Sequence, residues 1–285
     1  MSALTWVLWV AGAAVAFAWV ASLVTGDTSW VDRLWSILPA VYVVLFAAHR
    51  HFTSTRLDVM AVLVTLWGVR LTFNFARKGG YNGVEDYRWQ VIREGMSRGQ
   101  FQLFNLFFIV LYQNVLLVLI ALPAYSADQH RSTPFGAWDA LLSLVFVVFL
   151  VGETVADQQQ WDFHQEKQRL ATSGTPDQPG FLRGGLFRYS RHPNYFFEIA
   201  QWWVVFAFAA ISARSALLWT VAGPVLLSLL FLGSTRFTEK ISAAKYPLYR
   251  TYQREVSAIV PWPPRTRAPE PELGTPPPET GFEAP

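Results

Sequence analysis

SALTWVLWVAGAAVAFAWVASLV, residues 2–24, runs without a single charged side chain. A helix of about 20 apolar residues is long enough to cross the hydrocarbon core of a bilayer, so this stretch reads as a membrane span. A cleaved secretory leader needs a basic start, a shorter apolar core and a small-residue cleavage site. Here no Lys or Arg precedes Arg33, and the expectation is a retained first span. The composition agrees with that reading. The 285 residues are 52% hydrophobic and only 15% charged, with mean hydropathy +0.25, whereas a soluble domain carries about 25% charged residues.

The absence of cysteine excludes disulfides, thiolate catalysis, zinc–thiolate sites and iron–sulfur clusters. A pI near 9.2 raises the question of nucleic acid. The basic residues, however, lie between apolar runs rather than on one soluble face, so nucleic acid is not an expected partner and membrane lipid is.

Working outward, the apolar runs predict spans at 3–24, 34–49, 57–76, 101–122, 137–156, 195–212 and 215–234. The fold class expected is therefore all-α and polytopic, with about seven transmembrane helices. Charge supports that number. The segments 77–100, 158–191 and 236 onward hold 17 of the 23 Lys and Arg. Seven spans bring all three to one side, which the positive-inside rule makes cytoplasmic. The N-terminus is then outside and the C-terminus inside. Residues 1–262 form the membrane domain. Residues 263–285 hold eight prolines and six charges and are expected to be a disordered tail. Between spans three and four, Val84, Tyr87, Val91 and Met96 recur at helical spacing opposite a charged face, as in an interfacial helix. An ordinary connector lying on the headgroups accounts for the same pattern.

No phosphate-binding glycine loop, dinucleotide fingerprint or zinc-protease helix is present. Chemistry-bearing residues gather instead where spans meet the cytoplasm. On span five, Glu153, Asp157, Gln160 and His164 follow at spacings of four, three and four, and so share a helix face. Glu153 closes a charge-free run from Ala140 to Gly152, where a carboxylate needs a partner or a wet cavity. A helix turning polar as it leaves the membrane is the plainer reading. No second element supplies companion ligands, so no metal site is expected.

The stretch GGLFRYSRHPNYFFEIAQWW, residues 184–203, places Pro193 in a helix's first turn with Arg188 and Arg191 just before it. Free backbone N–H groups at a helix start, with arginines alongside, suit an anion. Asn194, Glu198 and Gln201 then make a polar stripe on an otherwise apolar helix. After the last span, Arg236 and Glu239 stand at the exit, and Tyr246, Tyr249 and Tyr252 form a stripe that either anchors at the interface or closes over a bound cofactor. Deeper in the membrane lie Arg70 with Asn74 on span three, and Gln113 with Asn114 on span four. These either join helices or line a pocket.

RYSRHPNYFFE before a span, and TEK followed by YRTYQREVSAIVPWPP after one, resemble the bacterial family of unknown function related to steroid 5-alpha-reductases. The resemblance covers about residues 30–265 and is strongest over 153–264. That superfamily also contains isoprenylcysteine and phospholipid methyltransferases. On the reductase branch, the resemblance implies NADPH in a cytoplasm-facing cavity. Arg70, Arg188, Arg191 and Arg236 would then hold phosphates, while Glu153, Asp157, Asn194 and Glu198 orient the nicotinamide end, with Tyr249 above. On the methyltransferase branch, it implies S-adenosylmethionine, with His192 and Tyr195 around the adenosyl group and Glu239 near the methionine.

Two departures concern the reaction. Steroid reductases polarise their enone with a Gln-Glu pair on span two and a Tyr on span three. Here span two lacks the pair, and Trp67 occupies the Tyr position. Asp32 is the candidate replacement donor, if burial raises its pKa. The leading expectation is a bacterial inner-membrane reductase that uses NADPH on the carbon–carbon double bond of a hydrophobic, lipid-like small molecule. The alternatives are a membrane methyltransferase and a non-enzymatic lipid-binding protein.

Overall fold

The computed structural model describes residues 1–83, 85–174 and 180–265, apart from the side chain of Tyr87. Val84 of the expected interfacial helix and residues 266–285 of the expected tail lie outside the described residues.

Seven helical segments are long and apolar enough to cross a membrane: Ala3–Thr25, Trp30–His49, Thr55–Arg77, Arg98–Gln129, Ala137–Thr172, Pro193–Ala213 and Trp219–Lys245. They form an all-helical bundle with no strand among the described residues. The first, α1 (Ala3–Thr25), begins where the Ser2 side chain accepts from the Thr5 N–H and ends at Gly26, whose φ of 71° suits a residue without a Cβ. Its buried stripe is Ala3, Val7, Ala11, Ala14 and Ala18, while Trp6, Trp9 and Phe17 face outward. Small residues inside and large apolar ones outside are what a lipid solvent selects, because lipid tails receive the large side chains without cost.

The second span extends further toward the N-terminus than the apolar run suggests, and it is broken. It consists of α2 (Trp30–Trp35) and α3 (Leu38–His49). Pro39 has no N–H to donate into the preceding turn, so the helix interrupts there. The break is received by α4 (Thr55–Arg77). A Cβ on Gly68 would lie 2.5 Å from the Ser36 carbonyl oxygen, and the Ser36 and Thr72 hydroxyls meet at 2.7 Å.

Between spans three and four runs a short helix, α5 (Tyr87–Glu94). The fourth span is α6 (Arg98–Phe104), an eight-residue π-helical stretch Asn105–Tyr112, and α7 (Gln113–Gln129). It is the most buried of the seven and packs against α1, α3 and α4 as well as the later spans. The fifth, α8 (Ala137–Thr172), has 36 residues, about 54 Å at 1.5 Å per residue. That exceeds a hydrocarbon core of about 30 Å, so its C-terminal half projects beyond the bilayer. The bundle closes with α9 (Pro193–Ala213) and α10 (Ala222–Lys245), followed by the short α11 (Tyr249–Glu255). Trp67 on α4 and Trp202 on α9 meet edge to face at 4.9 Å in the core.

After α11 the chain returns along the entry to α9. Ser190 pairs with Ser257, Arg191 N–H donates to Ser257 O at 2.8 Å, and Trp262 N–H donates to Tyr189 O at 2.9 Å. This strap secures residues 256–262 against the bundle's end.

Candidate functional site

A cavity of about 320 Å³ opens where α9 begins, between the C-terminal part of α4 and the middle of α8 and α10. Its charged wall comes from three helices. Arg70 and Asn74 stand one turn apart on α4, Glu153 and Asp157 one turn apart on α8, and Asn194 and Glu198 one turn apart on α9. The i, i+4 spacing read from the sequence is what puts each pair on one face.

Close approach of α8 and α9 makes the wall possible. A Cβ on Gly152 would fall 2.5 Å from the Phe197 ring, so glycine lets that ring pack directly on the α8 backbone. One residue later, Glu153 accepts a 2.6 Å hydrogen bond from the Gln201 amide.

Arg70 bridges the carboxylates. It pairs with Glu153 at 2.7 Å and with Asp157 at 2.6 Å. Glu153 and Asp157 are 1% and 3% exposed, and Glu198 is 6% exposed. Glu198 lies within electrostatic reach of Arg70 and Glu153, yet its Oε1 has no hydrogen-bond partner among the described residues. The Arg70 Nε is likewise without one. Three buried carboxyl groups thus gather on Arg70 beside open space, with Lys78 also lining the cavity and within electrostatic reach of Asp157. Unpaired polar atoms at such depth cost roughly 1–3 kcal/mol each when nothing binds them.

Further lining comes from Asp32 on α2 and from Lys78, Asp86, Arg88 and Trp89 between spans three and four. Trp89 Nε1 donates to Asp32 at 3.1 Å, and Arg88 donates to Ser234 on α10 at 3.0 Å while pairing with Asp86 at 2.7 Å. Burial opposes the charge on Arg88, but the Asp86 hydrogen bonds more than compensate and hold its pKa above the ordinary arginine value. The Glu85 carboxylate fastens the same segment to the Thr28 N–H and hydroxyl. Between these groups, Trp35, Leu71, Phe75, Phe108, Leu230 and Phe231 supply apolar surface.

Of the residues singled out from sequence, Asp32, Arg70, Glu153, Asp157, Asn194, Tyr195 and Glu198 line this cavity together. Arg191, His192 and Glu239 form a separate cluster. Arg191 donates to both Glu239 oxygens, at 2.6 and 2.9 Å, to Gln253 O at 2.9 Å and to Val256 O. His192 Nε2 lies 3.1 Å from Glu239, and Gln253 Nε2 donates to it at 2.9 Å. This cluster holds the strap and α10 to the start of α9. Tyr195 stacks on His192 at 5.2 Å and so links the cluster to the cavity.

Tyr249 packs with Phe181 and Tyr252 in a small aromatic core. Arg188 is exposed, and so is Arg236. The cavity residues of α10 are Leu230, Phe231 and Ser234, and at about 100° per residue Arg236 leaves the helix roughly half a turn away from them. Among the described residues, no group of three or more His, Asp or Glu is arranged to hold a metal ion.

The sequence pattern left two residues unmarked: Arg88 figured only among the basic residues of 77–100, and Trp89 is not part of the interfacial stripe. The amphipathic pattern of 84–96 marks the segment, but nothing local says that it folds over a cavity.

The fold and site define a multi-pass membrane protein with a buried, acid-rich cavity at one end of a seven-helix bundle. The particular family follows from comparison. The family described as a protein of unknown function, DUF1295, matches residues 18–256, and the chain belongs to it. A curated relative, the uncharacterized protein C594.04c of Schizosaccharomyces pombe, is 42% identical over 258 residues, covering 85% of this chain and 75% of that protein. No solved structure matches. Because that relative is fungal, the expected bacterial inner membrane is not supported. What stands is a multi-pass membrane location, given by the seven apolar helices.

Proposed function

We propose that the protein is a membrane oxidoreductase that uses NADPH to reduce a carbon–carbon double bond in a hydrophobic, lipid-like carbonyl substrate. The observation that carries this reading is the acid-rich wall around Arg70, where Glu153, Asp157 and Glu198 line the cavity together with Arg70 and Lys78. NADPH bound there would supply a hydride, leaving a cationic nicotinamide ring. Buried carboxyl oxygens facing that ring would favour the developing cation more than the neutral ring, which is what catalysis requires of them. Glu198 Oε1 and the Asn194 amide offer an acceptor and a donor for a carboxamide.

The cavity has room for a ring and part of a substrate, not for a whole dinucleotide. Phosphates would fall to exposed cations at the same end, with Arg188 the first choice. Arg191 is not among them, since its donors are engaged by Glu239, Gln253 and Val256. Asp32, across the cavity and held by Trp89, is the candidate proton donor. The three basic segments would lie in the cytoplasm, with the N-terminus on the other side.

A methyltransferase using S-adenosylmethionine is the second reading, favoured by the fit of an acid-rich cavity to a sulfonium. Methyl transfer destroys that positive charge, so the same carboxylates would stabilise the reactant over the transition state.

Purification in mild detergent, mass spectrometry of bound small molecules, and calorimetry with NADP⁺, NADPH and S-adenosylmethionine test the choice. NADP(H) should co-purify, and NADP⁺ should bind more tightly than NADPH. Retention of S-adenosylmethionine or its demethylated product would overturn the proposal. A chain that binds none of them would favour non-enzymatic lipid binding.

A further inference from the structure

A second cavity, of about 550 Å³, lies outside the bundle between α8, α9 and α10. Its surface is apolar, made chiefly by Phe149, Phe196, Trp203, Leu232 and Val260. Its one hydroxyl, that of Ser228, is already occupied, accepting from Trp203 Nε1 at 3.2 Å and donating to Pro224 O at 2.7 Å. Nothing polar is therefore left for water to satisfy, and the groove calls for hydrocarbon. It is open to the surroundings, with Trp203 38%, Leu232 43% and Val260 59% exposed.

Its length is informative. Along α9 the lining runs from Phe196 to Ala207, about 16 Å at 1.5 Å per residue. One leaflet of a bilayer core is about 15 Å deep. The groove therefore spans the acyl region of a single leaflet, on the side of the bundle that carries the basic segments.

Its outer rim is equipped for a headgroup. Arg236 lies one turn beyond Leu232 on α10, turned away from the first cavity, exposed and without a partner among the described residues. Lys240, one turn further, is exposed too. The strap that ends the groove at Ile259 and Val260 continues to Trp262, which is 68% exposed. Tyr189, bonded to Trp262 through the backbone, is 43% exposed. Aromatic rings at this level are what the bilayer interface favours.

We infer that the α8–α9–α10 groove binds one anionic phospholipid of that leaflet, with an acyl chain along Phe196–Ala207 and the phosphate at Arg236. This assigns Arg236 to lipid rather than to a cofactor. It is independent of the reaction carried out in the first cavity.

The test uses the full chain, delipidated in detergent and titrated with phosphatidylglycerol or phosphatidylcholine under native mass spectrometry. Wild type should retain one phosphatidylglycerol, preferred at least 5-fold over phosphatidylcholine. Ala207→Phe, which fills the groove, should lower retention at least 10-fold, and Arg236→Gln should abolish the preference for the anionic lipid. Leu144→Phe, on an exposed face of α8 away from the groove, should change neither.

A phosphatidylglycerol probe with a photoreactive group at mid-chain should label peptides containing Trp203 or Leu232 in the unmutated chain, whatever the folding yield of the variants. Labelling spread evenly over all spans, or retention indifferent to both groove variants, would overturn the inference.

Discussion

Arg56, buried, and Arg70, nearly so, stand on the same helix towards opposite ends of the bundle, and their surroundings differ in one respect. Arg56, 4% exposed, donates to both oxygens of Asp139 at 2.6 and 2.9 Å, to the Thr133 and Pro134 carbonyls at 2.9 Å each and to Ser212 at 3.3 Å. Asp139 also accepts from the Gly136 N–H. That network pins the helix ends together and leaves neither partner wanting. Arg70 faces three carboxylates, retains unpaired N–H groups, and borders a cavity. A closed ion pair tells of construction. An open, acid-rich one beside space marks a candidate binding site, because the missing contacts must come from water or a bound group.

The strongest way to break this comparison is Arg56→Ala. Leaving Asp139 buried and unpaired should cost about 3–5 kcal/mol. Thermal unfolding in detergent should show the loss, with cofactor affinity unchanged in the folded fraction. Weakened cofactor binding there would mean that the two ends are not separate.

Gly152→Ala comes next. Its methyl group meets the Phe197 ring, and overpacking of this kind costs about 1–3 kcal/mol. Since Glu153 moves with it, binding at the Arg70 cluster should fall together with stability.

Glu198→Gln sharpens the contrast. It removes an incompletely paired buried charge, so stability should hold or rise slightly, while NADP⁺ affinity drops about 10-fold, or ~1.4 kcal/mol. Calorimetry and unfolding on the same preparation would separate the effects, and a large loss of stability would class Glu198 with Asp139 as a structural carboxylate.

Asp32→Asn should have the smallest effect on the fold, roughly 0.5 kcal/mol, because the amide oxygen still accepts from Trp89. Turnover should fall far more than binding if Asp32 donates the proton, and unchanged turnover would remove it from that role.

Arg191 shows where linear reading reaches its limit. Its position before a helix start fits an anion site, and by spacing alone it looks like Arg188. The strap arrives from more than 60 residues later and presents Val256 O, with Gln253 O and the Glu239 carboxylate beside it, to its guanidinium. Arg188, three residues earlier, remains exposed. No local pattern distinguishes them, because the distinguishing partners are remote in the chain.

Composition and spacing along the chain specify the solvent and the helices. Charge-free runs long enough for a bilayer, and cations gathered between them, specify seven spans because burying a charge in hydrocarbon is costly over any local window. Spacing also specifies which residues share a helix face, since Glu153 with Asp157 and Asn194 with Glu198 need only the helical repeat. Which faces meet depends on contacts between remote segments. Gly152 lets α8 approach α9, Pro39 breaks the second span, and Trp89 ties α5 to Asp32. Those contacts turn four separate polar stripes into one cavity and turn Arg236 away from it. Their physical reason is packing between remote segments, which no periodicity along the chain records.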